Sequence, residues 1–316
     1  MNWETTLKKI TDESAYNAAM MWVDKPTNLK LINNQINCVY RFEFEDQGYY
    51  LRITHEQIRP YNELAAAIDF QNHLFFNDAP VCQAINSKNN AFIETIKQVE
   101  LEFLAHVCIE VPGNVIDFDD TSKEKYFKWG KSLATLHRAS QSYQPKEHHF
   151  RTWRDLWKET EDYLHGESNE IKDLHQKIAS FFNQLTPTPS NFGLTHGDHR
   201  PGNVLYDGNK VYIIDFDEPV HHWYMADIAK PYLDLCAKPH ETWKQLFDWY
   251  IEGYCTILPI NNTELKQINW FTQMKSLDIY LWCKNNWYEP TAPGGKPRDQ
   301  WLSELKQMAL CSLFNF

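Results

Sequence analysis

Between residues 36 and 44 apolar side chains fall at every second position (Ile36, Cys38, Tyr40, Phe42 and Phe44), an alternation that predicts a strand with one buried face. A turn at Asp46-Gln47-Gly48 separates this run from Tyr49-Tyr50-Leu51-Arg52-Ile53, so the two predict a β-hairpin. The period changes after Pro60, where Leu64, Ala67, Ile68 and Leu74 recur at helical spacing until Asp78-Ala79-Pro80 stops the pattern. Two further strands are predicted over 91–96 and 101–111, and Pro112-Gly113 then interrupts with strong turn chemistry. A lobe boundary placed there divides the chain into residues 1–112 and 113–316.

Beyond it the pattern is mainly helical. Tyr126, Trp129, Leu133 and Leu136 share one helix face, and similar periodicity covers 153–164, 170–185 and much of the chain from Trp223 onward. The exception is a short hairpin, 204–206 and 211–214, joined by Asp207-Gly208-Asn209-Lys210, where Gly and Asn suit positive φ.

Composition narrows the class. With 43% hydrophobic and 15% aromatic residues in 316, the chain can bury a sizeable core. A formal charge of −11 speaks against a broad basic surface for nucleic acid and accommodates a cationic or neutral partner more easily. Seven scattered cysteines without a C-x-x-C pair read as reduced core residues. No run of about 18 apolar residues predicts a membrane span, and Met1-Asn2-Trp3-Glu4 lacks the character of a signal peptide, so the expected compartment is the cytoplasm.

Chemistry gathers in His196-Gly197-Asp198-His199-Arg200-Pro201-Gly202-Asn203 and in Ile213-Ile214-Asp215-Phe216-Asp217. Phosphoryl transfer needs a carboxylate near the incoming hydroxyl and a cation on the phosphate oxygens. Asp198 and Asn203 stand at a D-x-x-x-x-N interval and Asp215 ends the next apolar strand, which supplies oxygens of the kind a hard cation prefers. The set resembles the aminoglycoside phosphotransferase and choline kinase family, whose signature is HGD-x-x-x-x-N followed by a hydrophobic strand ending in Asp. Asn37-Cys38-Val39-Tyr40, Tyr50-Leu51-Arg52-Ile53 and Gly130-Lys131-Ser132-Leu133-Ala134-Thr135-Leu136-His137 resemble further family segments, in the same order.

The resemblance implies an α+β, bilobal protein kinase-like fold with a small β-rich N-lobe and a larger helical C-lobe. It implies ATP and Mg²⁺, with Asp198 as catalytic base and Asn203 and Asp215 as metal ligands. Asp217 is a further metal or substrate contact, and Asp227 supports the catalytic region. For the nucleotide it points to Arg52 as the phosphate cation, Glu63 as its helical partner, Asn37 in a loop that lacks glycine, and Glu110 and Val111 beside adenine. The acceptor is expected to be a small-molecule hydroxyl, aminoglycoside-like, an amino alcohol or homoserine-like. Trp270, Phe271, Tyr280, Trp282, Trp287 and Tyr288 offer either core packing or a cage for a cationic group. A Ser/Thr protein kinase and a nucleotide-binding pseudokinase are the alternatives of the same fold.

Overall fold

The computed structural model describes residues 7, 9–34, 37–98, 101–145, 149–235, 240–292 and 295–311; Ile36 and Met1-Asn2-Trp3-Glu4, named above, lie outside them, as does Cys236, one of the seven cysteines. The chain packs into two compact units, one of residues 1–116, 142–150 and 203–218, the other of 117–141, 151–202 and 219–316.

The first unit is built on an antiparallel sheet ordered β1-β2-β3-β6-β4, with β5 also on β6. Its strands are β1 (Thr27–Asn34), β2 (Cys38–Phe44), β3 (Gln47–His55), β4 (Ala84–Ile85), β5 (Glu94–Gln98) and β6 (Leu101–Ile109). The alternation of β2 buries Cys38, Tyr40 and Phe42 against Leu51, Ile53, Phe103 and helix α1 (Asp12–Ala19). β2 and β3 pair with Phe44 opposite Gln47, so the turn is Glu45-Asp46, both at positive φ, rather than Asp46-Gln47-Gly48. Two left-handed residues give the hand of turn that a twisted two-residue hairpin requires. Gly48 serves instead as a place of close approach, since a Cβ there would stand 1.7 Å from Glu110 Oε2.

Helix α2 (Tyr61–Phe76) follows Pro60 as its periodicity predicts. The short hairpin, β9 (Val204–Tyr206) with β10 (Val211–Ile213), groups with this unit, not with the residues that precede it as a single cut after residue 112 would have it. The cause is backbone pairing: β9 joins β7 (Asn114–Val115), and Ile213 N–H donates to Pro80 O at 2.8 Å.

The second unit is helical, with α3 (Lys123–Ser140), α4 (Trp153–Asp162), α5 (Asn169–Gln184), α6 (Met225–Leu235), α7 (His240–Cys255), α8 (Asn262–Lys266), α9 (Ile268–Asn286) and α10 (Arg298–Leu310). Its strands, β8 (Phe192–Thr195) and β11 (Val220–Trp223), pair with Thr195 opposite Val220. α3 and α7 meet through glycine: a Cβ on Gly130 would lie 1.8 Å from Tyr250 O, and one on Gly253 1.9 Å from Phe127 O. Among the described residues no helix is long and apolar enough to cross a membrane.

Candidate active site

In the second unit β8 delivers the chain into His196-Gly197-Asp198, and Gly197 turns it at φ 85°. The turn is held by Asp227, in the first turn of α6, whose Oδ2 accepts from His196 N–H at 2.7 Å and whose Oδ1 accepts from Gly197 N–H at 3.0 Å. His137 Nε2 reaches the same carboxylate at 3.0 Å, while its Nδ1 lies 2.8 Å from Tyr254 Oη. These contacts suit one neutral tautomer, with Nε2–H donating to Asp227 and Nδ1 accepting from the tyrosine. Burial lowers the His137 pKa against the opposing pull of Asp227. Burial would raise that of Asp227, but the His137 hydrogen bond and the surrounding histidines outweigh it and hold it well below the carboxylate range.

Asp198 itself is left partly open, its side chain 32% exposed, with Arg200 Nε donating to Oδ2 at 3.0 Å. Burial acts to raise its pKa, and the cations Lys275, Arg200 and Lys230, with His196, outweigh burial, so the net shift is downward. The group is therefore an ionised acceptor at neutral pH. Beside its loop lies a cavity walled by Trp157, Gly197, Lys230, Phe271, Lys275 and Asp278 among others. Of the six aromatic residues from 270 to 288 that formed a candidate cage, Phe271 lines this cavity. Trp270 stacks on Phe181 and Tyr280 O–H donates to Glu167.

Asn203 ends a single helical turn, Pro201–Asn203, and is buried; within the first unit its backbone oxygen accepts from Ile214 N–H at 2.9 Å. That bond ties the segment carrying Asn203 to the one carrying Asp215. Asp215 sits at φ 71°, a left-handed conformation costly for a residue with a Cβ and of the kind concentrated at functional sites. Arg52, on β3, reaches Asp215 Oδ1 at 2.8 Å and Asp217 Oδ2 at 2.6 Å. Asn37 Nδ2 also donates to Asp217 Oδ2, at 2.5 Å, and Arg59 stands 4.0 Å from it.

Asp217, which the sequence marked as secondary, is thus where Arg52, Arg59 and Asn37 converge. Burial would raise its pKa; Arg52 and Arg59 outweigh burial and lower it. Burial opposes the charge of Arg52 in turn, and the two carboxylates overcome it and raise its pKa.

The expected partnership of Arg52 with Glu63 is not formed. Glu63 is exposed on α2, and the guanidinium takes Asp215 and Asp217 instead. Glu110 binds Arg41 through both oxygens, at 2.7 and 2.8 Å, while its N–H donates to Gly48 O. Val111 packs against the cluster of Leu64, Ile68 and Leu104. Among the described residues no group of three His, Cys, Asp or Glu is arranged to hold a metal. Asn203 and Asp215 offer amide and carboxylate oxygens, donors that suit a hard cation completed by phosphate and water.

The model of the phosphotransferase enzyme family (APH) matches residues 28–257. The chain belongs to that family. As a phosphotransferase it is 26% identical over 294 residues to the amicoumacin kinase of Bacillus subtilis, covering 87% of this chain and 85% of that protein. Its fold is that of an amicoumacin kinase solved with AMP-PNP, Ca²⁺ and Ami, at TM-score 0.86, 19% identity and coverage of 98% and 96% of the two chains. A microcompartment-associated aminopropanol kinase shares the fold at TM-score 0.76, 16% identity and 95% coverage of both. The phosphotransferase's Gly130 and His137, visible in sequence as motif residues, acquire physical roles in the helix seam and in the Asp227 network.

Proposed function

We propose that this phosphotransferase moves the γ-phosphate of ATP to a hydroxyl of a small molecule bound in the cavity beside Asp198. The observation that carries the reading is the state of Asp198: ionised, partly open, and on a loop fixed by two backbone hydrogen bonds to Asp227. Its carboxylate orients the acceptor hydroxyl and accepts its proton as the oxygen attacks phosphorus. Asn203 and Asp215 are the residues that would hold Mg²⁺, which when bound neutralises the phosphate oxygens. Arg52 holds Asp215 and Asp217 in place and offers a permanent cation to the nucleotide.

The similarity to amicoumacin kinase and aminopropanol kinase supports a small-molecule acceptor over a protein. An ATP-consumption screen over amino alcohols, hydroxy amino acids, aminoglycosides and protein acceptors tests the reading, with mass spectrometry of the product. A gain of one phosphoryl group by a small molecule, abolished in Asp198→Ala, is the expected result. Transfer to protein serines alone would overturn the assignment.

A further inference from the structure

Two lysines line the cavity beside the Asp198 loop in a chain whose formal charge is −11. Lys230, on α6, has a side chain 13% exposed, and its ion-pair partner Asp234 lies one turn along the same helix at 3.9 Å, beyond hydrogen-bond reach. Lys275, on α9, meets Asp278 at 3.3 Å. Burial lowers the Lys230 pKa, with Asp234 and Asp198 opposing and Lys275 and Arg200 adding to the fall, so this ammonium, little exposed and without a carboxylate at hydrogen-bond distance, is not fully stabilised.

The negative groups nearby are already committed. Asp227 holds His137 and two backbone N–H groups, Asp198 takes Arg200, and Asp278 takes Lys275. Asp234 stands beside Lys230, and burial raises its own pKa. The remaining wall is largely apolar, with Leu156, Trp157, Phe271 and Met274. A polycation here would lie beside two ammonium groups. A single negative charge would complete the site.

We infer that the acceptor carries a carboxylate near its hydroxyl, held by Lys230 and Lys275. The inference rests on the phosphotransferase reading above and names the acceptor class within it: a hydroxy acid or hydroxy amino acid derivative, not the polyamine that the acidic composition suggests. Lys230 and Lys275 are then specificity-determining residues for the transfer.

The test uses the full chain with Mg²⁺ and ATP and acceptors matched in all but charge. Homoserine is set against homoserine amide and 3-amino-1-propanol, serine against serinamide and ethanolamine, and kanamycin serves as a polycation. The acid of each set should exceed its neutral or cationic partners about tenfold or more in kcat/KM, the scale of a charge-assisted hydrogen bond. Lys230→Met should bring acid and amide to within about twofold through KM for the acceptor, with KM for ATP held, while Lys230→Arg should retain the preference.

Amides or amines turned over as well as the acids would overturn the inference. So would an acid preference that survives both Lys230→Met and Lys275→Met. If none of these acceptors is turned over, the rise in melting temperature at high acceptor concentration reads the same question, and equal shifts for acids and amides overturn it. Acid-selective shifts without ATP consumption by any acceptor or by water would instead sink the phosphotransferase reading and leave the carboxylate site standing.

Discussion

Asp217 in the first unit and Asp227 in the second are both carboxylates largely removed from water, yet they are held by opposite means. Asp217 is surrounded by side-chain donors, Arg52, Arg59 and Asn37, and shares Arg52 with Asp215. Asp227 is fixed by two backbone N–H groups and a neutral imidazole. A guanidinium that bridges two carboxylates can redistribute its bonds when phosphate or a cation arrives. A carboxylate bonded to the backbone of the His196–Asp198 loop moves only if that loop moves. The Asp217 cluster is thus built from exchangeable ion pairs, and the Asp227 cluster from a fixed support.

Four measurements break or sharpen this contrast. Asp198→Ala removes the group that the Asp227 support exists to position. Transfer should fall by roughly three orders of magnitude or more in kcat, with ATP binding by calorimetry little changed. Asp227→Ala should cost about 3 kcal/mol in denaturant-derived stability, because it strands the buried His196 N–H, the half-buried Gly197 N–H and His137, and it should lower kcat as well. Asp215→Ala leaves Asp217 on Arg52, so its main effect should be a rise of about tenfold in KM for Mg²⁺-ATP with only a small fall in melting temperature. Glu63→Ala should change stability by no more than about 0.5 kcal/mol and leave KM for ATP as it was, since the side chain is exposed and Arg52 takes its carboxylate partners elsewhere. A Glu63 variant that lost nucleotide binding would overturn this account of Arg52.

Acid separates the two regions independently. Burial holds His199 and His222, both of the second unit, at about 3. Each has a folded value below its unfolded one, so the unfolded chain binds more protons once pH falls under about 6.5, and stability drops with it. At pH 5 the loss is about 2 kcal/mol for each ring. Asp217 is also depressed, but its contribution is present above the unfolded carboxylate value, about 3.9, and is lost only below it. Denaturation midpoints followed from pH 8 to pH 5 should therefore fall through the second unit first, and a flat profile would contradict the buried neutral histidines.

Much of this architecture was legible in the chain because it follows from period. The alternation of Cys38, Tyr40 and Phe42 and the helical spacing from Tyr126 to Leu136 are direct records of a buried face. β1 carried no such record, since nearly all of its residues are exposed and its partner supplies the pairing. Asp198, Asn203 and Asp215 could be found from interval and order. The partner of Arg52 could not, for its carboxylates lie more than 160 residues later in sequence, and local helix spacing pointed to Glu63. Asp217 had a signal in the Asp215-Phe216-Asp217 repeat, but nothing in sequence reveals that three donors meet there. Lys230 and Lys275 were hidden for a related reason: helical periodicity marks which positions are buried, not which buried positions border a cavity.

The α3–α7 seam bears on the His196–Asp198 loop from a distance. His137 rides on α3 and Tyr254 on α7, and their 2.8 Å bond spans the two helices that Gly130 and Gly253 allow to touch. Two missing methyl groups thereby act as a gauge block, setting the separation at which one imidazole nitrogen meets a phenol and the other is free to steady Asp227. Adding either methyl would shim the helices apart, and the error would pass through His137 to the backbone that presents Asp198.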